Sequence, residues 1–263
     1  ATLDPSSRNV FVSGNWTNLD TFTCGTSTVN FTGNVTTNQT ITSGGDSFYN
    51  LQINNDEVTK DTIYIADTMD IDGTLTIVDG VLNTMPVATS YGFAAGAIDI
   101  QASGALTANA SAITCTGALS GAGTLTAGSS AITISGDSAS WDSSLMTFDS
   151  GTGTVDFTGT SSITTNDGKP GSGGFNNLTC AAATETTTVK NAYLYTNNLT
   201  LGSGALTDTN SPNAYVITLG NGTPLVFSGT DFTGLFGLVI ASETDHAAIN
   251  VPGGDYSKLT VFA

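Results

Sequence analysis

The sequence predicts an all-β fold, a right-handed parallel β-solenoid built as a stack of coils or β-arches. Three observations predict it. Short runs of alternating apolar and polar residues recur along the whole chain, glycine- and asparagine-rich turns separate them, and a longer motif returns after about 125 residues. Thr and Ser, 46 and 26 of 263 residues, make up roughly a quarter of the chain, a composition that favours strands and turns over helices. A disordered chain would share that polarity but would not keep Val, Ile, Leu and Phe on alternate positions throughout.

The strands follow in order. Val29-Asn30-Phe31, Leu51-Gln52-Ile53, Ile63-Tyr64-Ile65, Leu75-Thr76-Ile77 and Ile98-Asp99-Ile100 lie in the first half. Ile113-Thr114-Cys115, Ile132-Thr133-Ile134, Val155-Asp156-Phe157 and Leu178-Thr179-Cys180 follow. Each is a short strand with one polar residue facing out. Asp72-Gly73, Asp79-Gly80, Ser103-Gly104, Asp167-Gly168 and Ser203-Gly204 read as turns. Two or three such strands per coil give about 20 to 24 residues per coil and about a dozen coils. Tandem antiparallel β-sandwiches of about 125 residues each are the alternative, since strand spacing alone does not separate the two folds.

The long repeat is the firmest feature. Gly25-Thr26-Ser27-Thr28-Val29-Asn30-Phe31-Thr32-Gly33 returns as Gly151-Thr152-Gly153-Thr154-Val155-Asp156-Phe157-Thr158-Gly159. Trp16 and Phe22 precede the first copy, and Trp141 and Phe148 the second. Phe48-Tyr49-Asn50-Leu51 matches Phe175-Asn176-Asn177-Leu178, and Leu75-Thr76-Ile77 matches Leu199-Thr200-Leu201. The chain therefore divides into a first repeat, 1–135, and a second, 136–263, with a divergent C-terminal part, expected to form one continuous solenoid. In that last part, Leu219 to Pro224 and Phe232 to Ile240 fit a hairpin equally well.

Composition excludes whole classes of function. Twenty-two acids against five bases give a net charge of −17, and Arg8, Lys60, Lys169, Lys190 and Lys258 stand singly. Counterion-release binding to nucleic acid needs clustered bases, so a nucleic-acid partner is not expected. No apolar run reaches the ~18 residues of a membrane-spanning helix, so membrane insertion is not expected, and Ala1 to Pro5 reads as a mature end.

The Trp and Phe spaced before Gly-Thr-x-Thr-Val-x-Phe-Thr-Gly, the Phe-x-Asn-Leu that follows, and the Gly-x-Leu-Thr turns resemble the repetitive β-solenoid proteins of bacterial and archaeal cell surfaces. That group includes adhesin-like, envelope and sheath proteins, and the likeness covers most of residues 11 to 206. The resemblance implies an extracellular, cell-surface or cell-envelope location. Because the group spans adhesins, sheaths and polysaccharide-active enzymes, it transfers no catalytic residue.

Candidate chemistry is sparse. Asp67, Asp70 and Asp72 form the densest acidic group, a weak calcium candidate, since Asp70 and Asp72 share one side of an extended strand. A solvated turn with the acids outward is the favoured reading, because the EF-hand ligand spacing is absent, and the same reading applies to Asp56-Glu57, Asp137, Asp142 and Asp149. His246, within Glu243-Thr244-Asp245-His246, is the one imidazole, and neither a nucleophile elbow nor a zinc-ligand cluster accompanies it. Cys24, Cys115 and Cys180 each stand two residues after an apolar one, which points them inward; they are also candidates for one disulfide or a cross-link between subunits. Asn15, Asn30, Asn34, Asn38, Asn109, Asn177, Asn198 and Asn221 open glycosylation sequons, eight where about six arise by chance, which permits glycans without requiring them. Trp16, Trp141, Tyr193 and Tyr195 are expected in core or cap packing rather than on a sugar-binding face.

These readings lead to one expectation of function: a non-enzymatic extracellular structural protein that self-assembles by edge-to-edge strand addition into a homopolymer such as a sheath, surface layer or fibre. An adhesin or carbohydrate-binding stalk recognising cell-surface polysaccharide is the alternative. A polysaccharide lyase or hydrolase on a β-helix, working through acids such as Asp70 and Asp72, is the second.

Overall fold

The computed structural model describes residues 1–33, 38–55, 62–85, 88–180, 185–202, 206–208, 215–220, 225–227, 237–241 and 259–262. Within them lie 26 β-strands and no helix, and every strand pairing is parallel. The chain winds as a β-solenoid of about nine turns, each turn running over three sheet faces. Parallel pairing throughout removes the antiparallel sandwich, whose strands would meet neighbours in opposite directions.

The first face shows how sequence makes the stack. Its inward row runs Val29, Leu51, Leu75, Ile98, Leu119, Trp141, Ile163 and Val189, each the register partner of the next. The steps along this row are 22, 24, 23, 21, 22, 22 and 26 residues, so the period is set by the alternating runs and stretched where a corner loop is inserted. The structure shows about nine turns where about a dozen are expected from length. All eight side chains of the row are buried, and each such burial contributes roughly 1.5–3 kcal/mol. Strands that expose one row and bury the next need a partner above and below to close their core, which is why the turns stack.

The third face carries an equivalent inward row, Met69, Phe93, Ile113, Ile132, Val155, Leu178, Leu199 and Leu225. The second face holds Ile63, Leu82, Leu106, Leu125 and Phe148, is interrupted by the loop around Lys169 and Pro170, and resumes with Leu194 and Val216. Strands pair directly across position 135/136, Ala131–Ile134 with Thr154–Phe157 and Ala118–Gly121 with Ala139–Asp142, so the two sequence repeats share one stack. In the C-terminal part, Tyr215–Thr218, Gly237–Ala241 and Leu259–Phe262 continue as parallel strands rather than as a hairpin.

Two long strands, Met69–Asn83 and Phe93–Thr107, pass through corners without losing their pairing to each other. Asp72-Gly73, Asp79-Gly80 and Ser103-Gly104 therefore bend a continuous strand instead of ending one, with register shifts taking up the bend. Gly121, at φ 139°, turns where the Ile100 carbonyl of the preceding turn lies against it, a position closed to any side chain.

The 125-residue repeat has a three-dimensional counterpart. Trp16, Phe22 and Phe48 pack with ring centroids 5.0, 5.6 and 5.8 Å apart, and Trp141, Phe148 and Phe175 repeat the cluster at 4.9, 5.3 and 5.7 Å. The copies sit on different faces: Trp16 pairs with Ile41 on the second face, Trp141 with Ile163 on the first. Val29 lies on the first face and its counterpart Val155 on the third, the same displacement.

Candidate functional site

The three aspartates do not converge. Asp67 accepts hydrogen bonds from the backbone N–H groups of Ser43 (2.8 Å) and Gly44 (2.7 Å) and from Ser43 Oγ (3.1 Å), binding the corner of the preceding turn. Asp70 accepts one from Ser47 Oγ at 3.3 Å, and Asp72 lies 3.9 Å from Cys24 Sγ. Among the described residues no three His, Cys, Asp or Glu side chains gather as a metal-ligand group. Asp46 repeats the role of Asp67 one turn earlier: Phe22 N–H (2.6 Å) and Asn18 Nδ2 (2.8 Å) donate to it and hold its carboxyl below the usual range. Carboxylates at these corners join one turn to the next, satisfying donors that a bend leaves unpaired.

Asp70 also borders a shallow depression of about 760 Å³ on the third face, with Thr68, Gly92, Phe93, Ala94 and Thr114 among its walls and no basic side chain in the lining. A second depression, about 390 Å³, holds Asp99 and Asp142 two turns apart with Ser120 between them in register. Asp142 is engaged by Ser144 N–H at 3.0 Å and Oγ at 2.6 Å, and Asp99 by Gln101 Nε2 at 3.2 Å. Asp149 likewise accepts from Gly151 N–H at 3.1 Å. Asp56-Glu57 and His246 lie outside the described residues.

The cysteines are all free. Cys115 and Cys180 are buried on the third face three turns apart, roughly 14 Å at ~4.8 Å per turn, beyond disulfide reach. Burial pushes the Cys180 thiol up to about 12 and raises that of Cys115. Cys24 is half-buried and packs against the core, just beyond the end of its strand Thr21–Phe22. Partial burial, then the Asp72 charge, raise its pKa.

The sequon asparagines divide by what their amides do. Asn109 Nδ2 donates to Asn83 Oδ1 (2.8 Å), Asn198 Nδ2 to Asn177 Oδ1 (2.8 Å), and Asn177 Nδ2 to Gly153 O (3.1 Å), forming polar ladders between turns. Asn197 donates to Asn176 in the same way at 2.9 Å. Asn30 Oδ1 is buried without a hydrogen-bond partner. Asn15 and Asn38 are exposed and accept backbone N–H groups of the next turn from Thr40 (2.9 Å) and Thr62 (3.4 Å). Asn34 and Asn221 lie outside the described residues.

The aromatics separate. Trp141 is fully buried and Trp16 packs against the core, as expected for residues fixed in the long repeat. Tyr193 and Tyr195 instead face out, and sequence reasoning missed their neighbour Tyr215. Tyr193 and Tyr215 are each 43% exposed, register partners with centroids 6.0 Å apart and planes 19° from parallel. Tyr195 stands 6.3 Å from Tyr193 at 26°. The signal was present: Leu194 and Thr196 take the inward positions, and Tyr215 follows Tyr193 by one turn of 22 residues.

No family model, curated protein or solved structure matches this chain.

Proposed function

We propose that this chain is a structural segment of an extracellular, cell-surface polymer and joins further copies of itself by edge-to-edge addition of β-strands. The observation that carries this reading is the uniform parallel stack, in which each turn closes its core only against a neighbouring turn and pairs with it through the same main-chain pattern. A turn from another copy carries the same parallel main-chain pattern, so it can continue the stack. The polar ladders and corner carboxylates then serve as the joints of a rod that resists pulling and shear. Charge repulsion along an acidic polymer is offset by divalent cations, which gives calcium a bulk role even without a dedicated site.

Electron microscopy of the purified 263-residue chain, with and without reductant and chelator, tests the proposal. Ordered fibres, tubes or sheets with a ~4.8 Å repeat in diffraction are expected. The variant that checks the mechanism is Phe11→Pro. Val12 O accepts the Thr32 N–H, so Val12 faces the next turn and Phe11, by alternation, directs its own N–H and C=O to the opposite edge. Its side chain is 66% exposed, so proline there removes an edge donor and leaves the core intact. Loss of assembly with an unchanged fold is expected. Dispersed single rods of the unsubstituted chain under every condition overturn the proposal.

A further inference from the structure

We infer that the outward tyrosines of the second face form a binding platform for an uncharged polysaccharide. Elsewhere the outward rows are mostly polar or small, with Phe11 on the first face and Val226 on the third as isolated exceptions. The third face presents Ala94, Thr114, Thr133, Asp156, Thr179 and Thr200, and the earlier turns of the second face present Thr40, Asn83, Thr107, Thr126 and Asp149 beside the single Tyr64. After the loop at Lys169 the row changes character. Tyr193 pairs with Tyr215 and Tyr195 with Ile217, which pairs in turn with Val239. Their alternation partners Leu194, Thr196, Val216 and Thr218 are buried, so this row faces out. A contiguous apolar strip on a largely hydrophilic surface marks a contact site.

Geometry and charge together select the occupant. Tyr193 is stacked with both Tyr195 and Tyr215, within 26° of parallel, so the three rings form one aromatic block whose open faces and hydroxyl edges a ligand meets together. The register partner beyond Tyr215 is Gly237, which adds no side chain between that ring and a ligand. A sheet face offers no groove for a helix, but it suits an extended chain whose units each carry a C–H-rich face and a hydroxyl edge. The electron-rich ring faces attract the former, and the tyrosine hydroxyls bond the latter. The net charge of −17, with Asp167 accepting the Tyr193 N–H at 3.3 Å just beneath the strip, disfavours an anionic glycan against a neutral one even with Lys169 and Lys190 nearby in the chain.

The test is a glycan array of neutral and acidic oligosaccharides. Affinity electrophoresis of the whole 263-residue chain follows, through gels holding hydroxyethylcellulose, galactomannan or, as the anionic control, polygalacturonate. Retention by at least one neutral glycan and none by polygalacturonate is expected. Tyr193→Ala and Tyr215→Ala each weaken retention about tenfold, while Tyr193→Phe and Tyr215→Phe keep most of it, since ring stacking supplies most of the contact. Far-UV circular dichroism verifies that these exposed substitutions leave the fold unchanged. No neutral glycan retained, or retention indifferent to both alanine variants, overturns the inference. So does sedimentation showing that the strip mediates pairing of two chains, lost in the double variant, because the occupant is then a second copy. Phe11→Pro should bind glycan normally, so failure of assembly and failure of the platform are read separately.

Discussion

Replacing Trp141 and Trp16 separately by alanine tests whether the two aromatic clusters, alike in sequence, do unequal structural work. Trp141 is fully buried, contacts Phe148 and Phe175 at 4.9 and 5.3 Å, and donates its Nε1–H to Ser143 Oγ at 3.0 Å. Truncating a buried aromatic to alanine costs about 3–5 kcal/mol, and leaving the buried Ser143 hydroxyl unpaired puts this case at the upper end. Trp16 makes similar ring contacts, 5.0 Å to Phe22 and 5.6 Å to Phe48, but is only half-buried. Its Nε1 is buried with no hydrogen-bond partner, so removing it also removes a standing penalty of about 1–3 kcal/mol. Trp16→Ala is thus expected to cost about 1–2 kcal/mol, some 3 kcal/mol less than Trp141→Ala. Urea unfolding followed by far-UV circular dichroism, which does not depend on the deleted fluorophore, measures both, with the slope checked for constancy. Equal costs, or a larger cost at Trp16, refute the reasoning.

The corner carboxylates and the thiols give two further tests. Asp67→Ala should destabilise by about 2–3 kcal/mol in thermal or urea unfolding, because two backbone donors and a hydroxyl lose their acceptor, while Asp70→Ala and Asp72→Ala should each stay within about 0.5 kcal/mol. Calcium that raises the melting temperature of the unsubstituted chain but not of Asp70→Ala would instead show the acids acting together on a cation. For the thiols, a native-state alkylation at pH 8 should modify Cys24 alone, with Cys115 and Cys180 reacting only on unfolding. The Cys180 proton is held to about 12 in the fold but released near 9 when unfolded, so its contribution to stability is complete below pH 9 and lost as pH rises towards 12. Cys180→Ala should flatten that alkaline loss, read as the difference between the two pH profiles.

Much of this architecture was legible because its cause is local. Ile63-Tyr64-Ile65 and Val155-Asp156-Phe157 alternate in the only way a half-buried strand can, and all nine such runs lie inside strands. What escaped was whatever depends on the neighbouring turn. Asp79-Gly80 has turn chemistry, yet main-chain pairing to Ser103-Gly104 carries the strand through the bend. Asp67 looked like one of three solvated acids, but its partners lie 23 and 24 residues earlier. Cys24 packs against the core as alternation predicts but is only half-buried, lying beyond its strand's end at Phe22. Tyr193 and Tyr195 were grouped with the tryptophans by their position in the repeat, although the side of the strand, set by buried Leu194, decides where they point.

The displacement of the second aromatic cluster sets how the molecule presents itself along its length. From Val29 to Val155 the chain covers five full windings and two of the three faces of the next, so each repeat restarts one face out of step with the last. Were further repeats of this length joined in tandem, any feature fixed in the repeat would advance round the rod like a stair around a newel. It would return to the same compass direction only at the fourth copy. A surface mark made once per repeat would then be displayed to all sides in turn, and an array of three repeats would have no blind side.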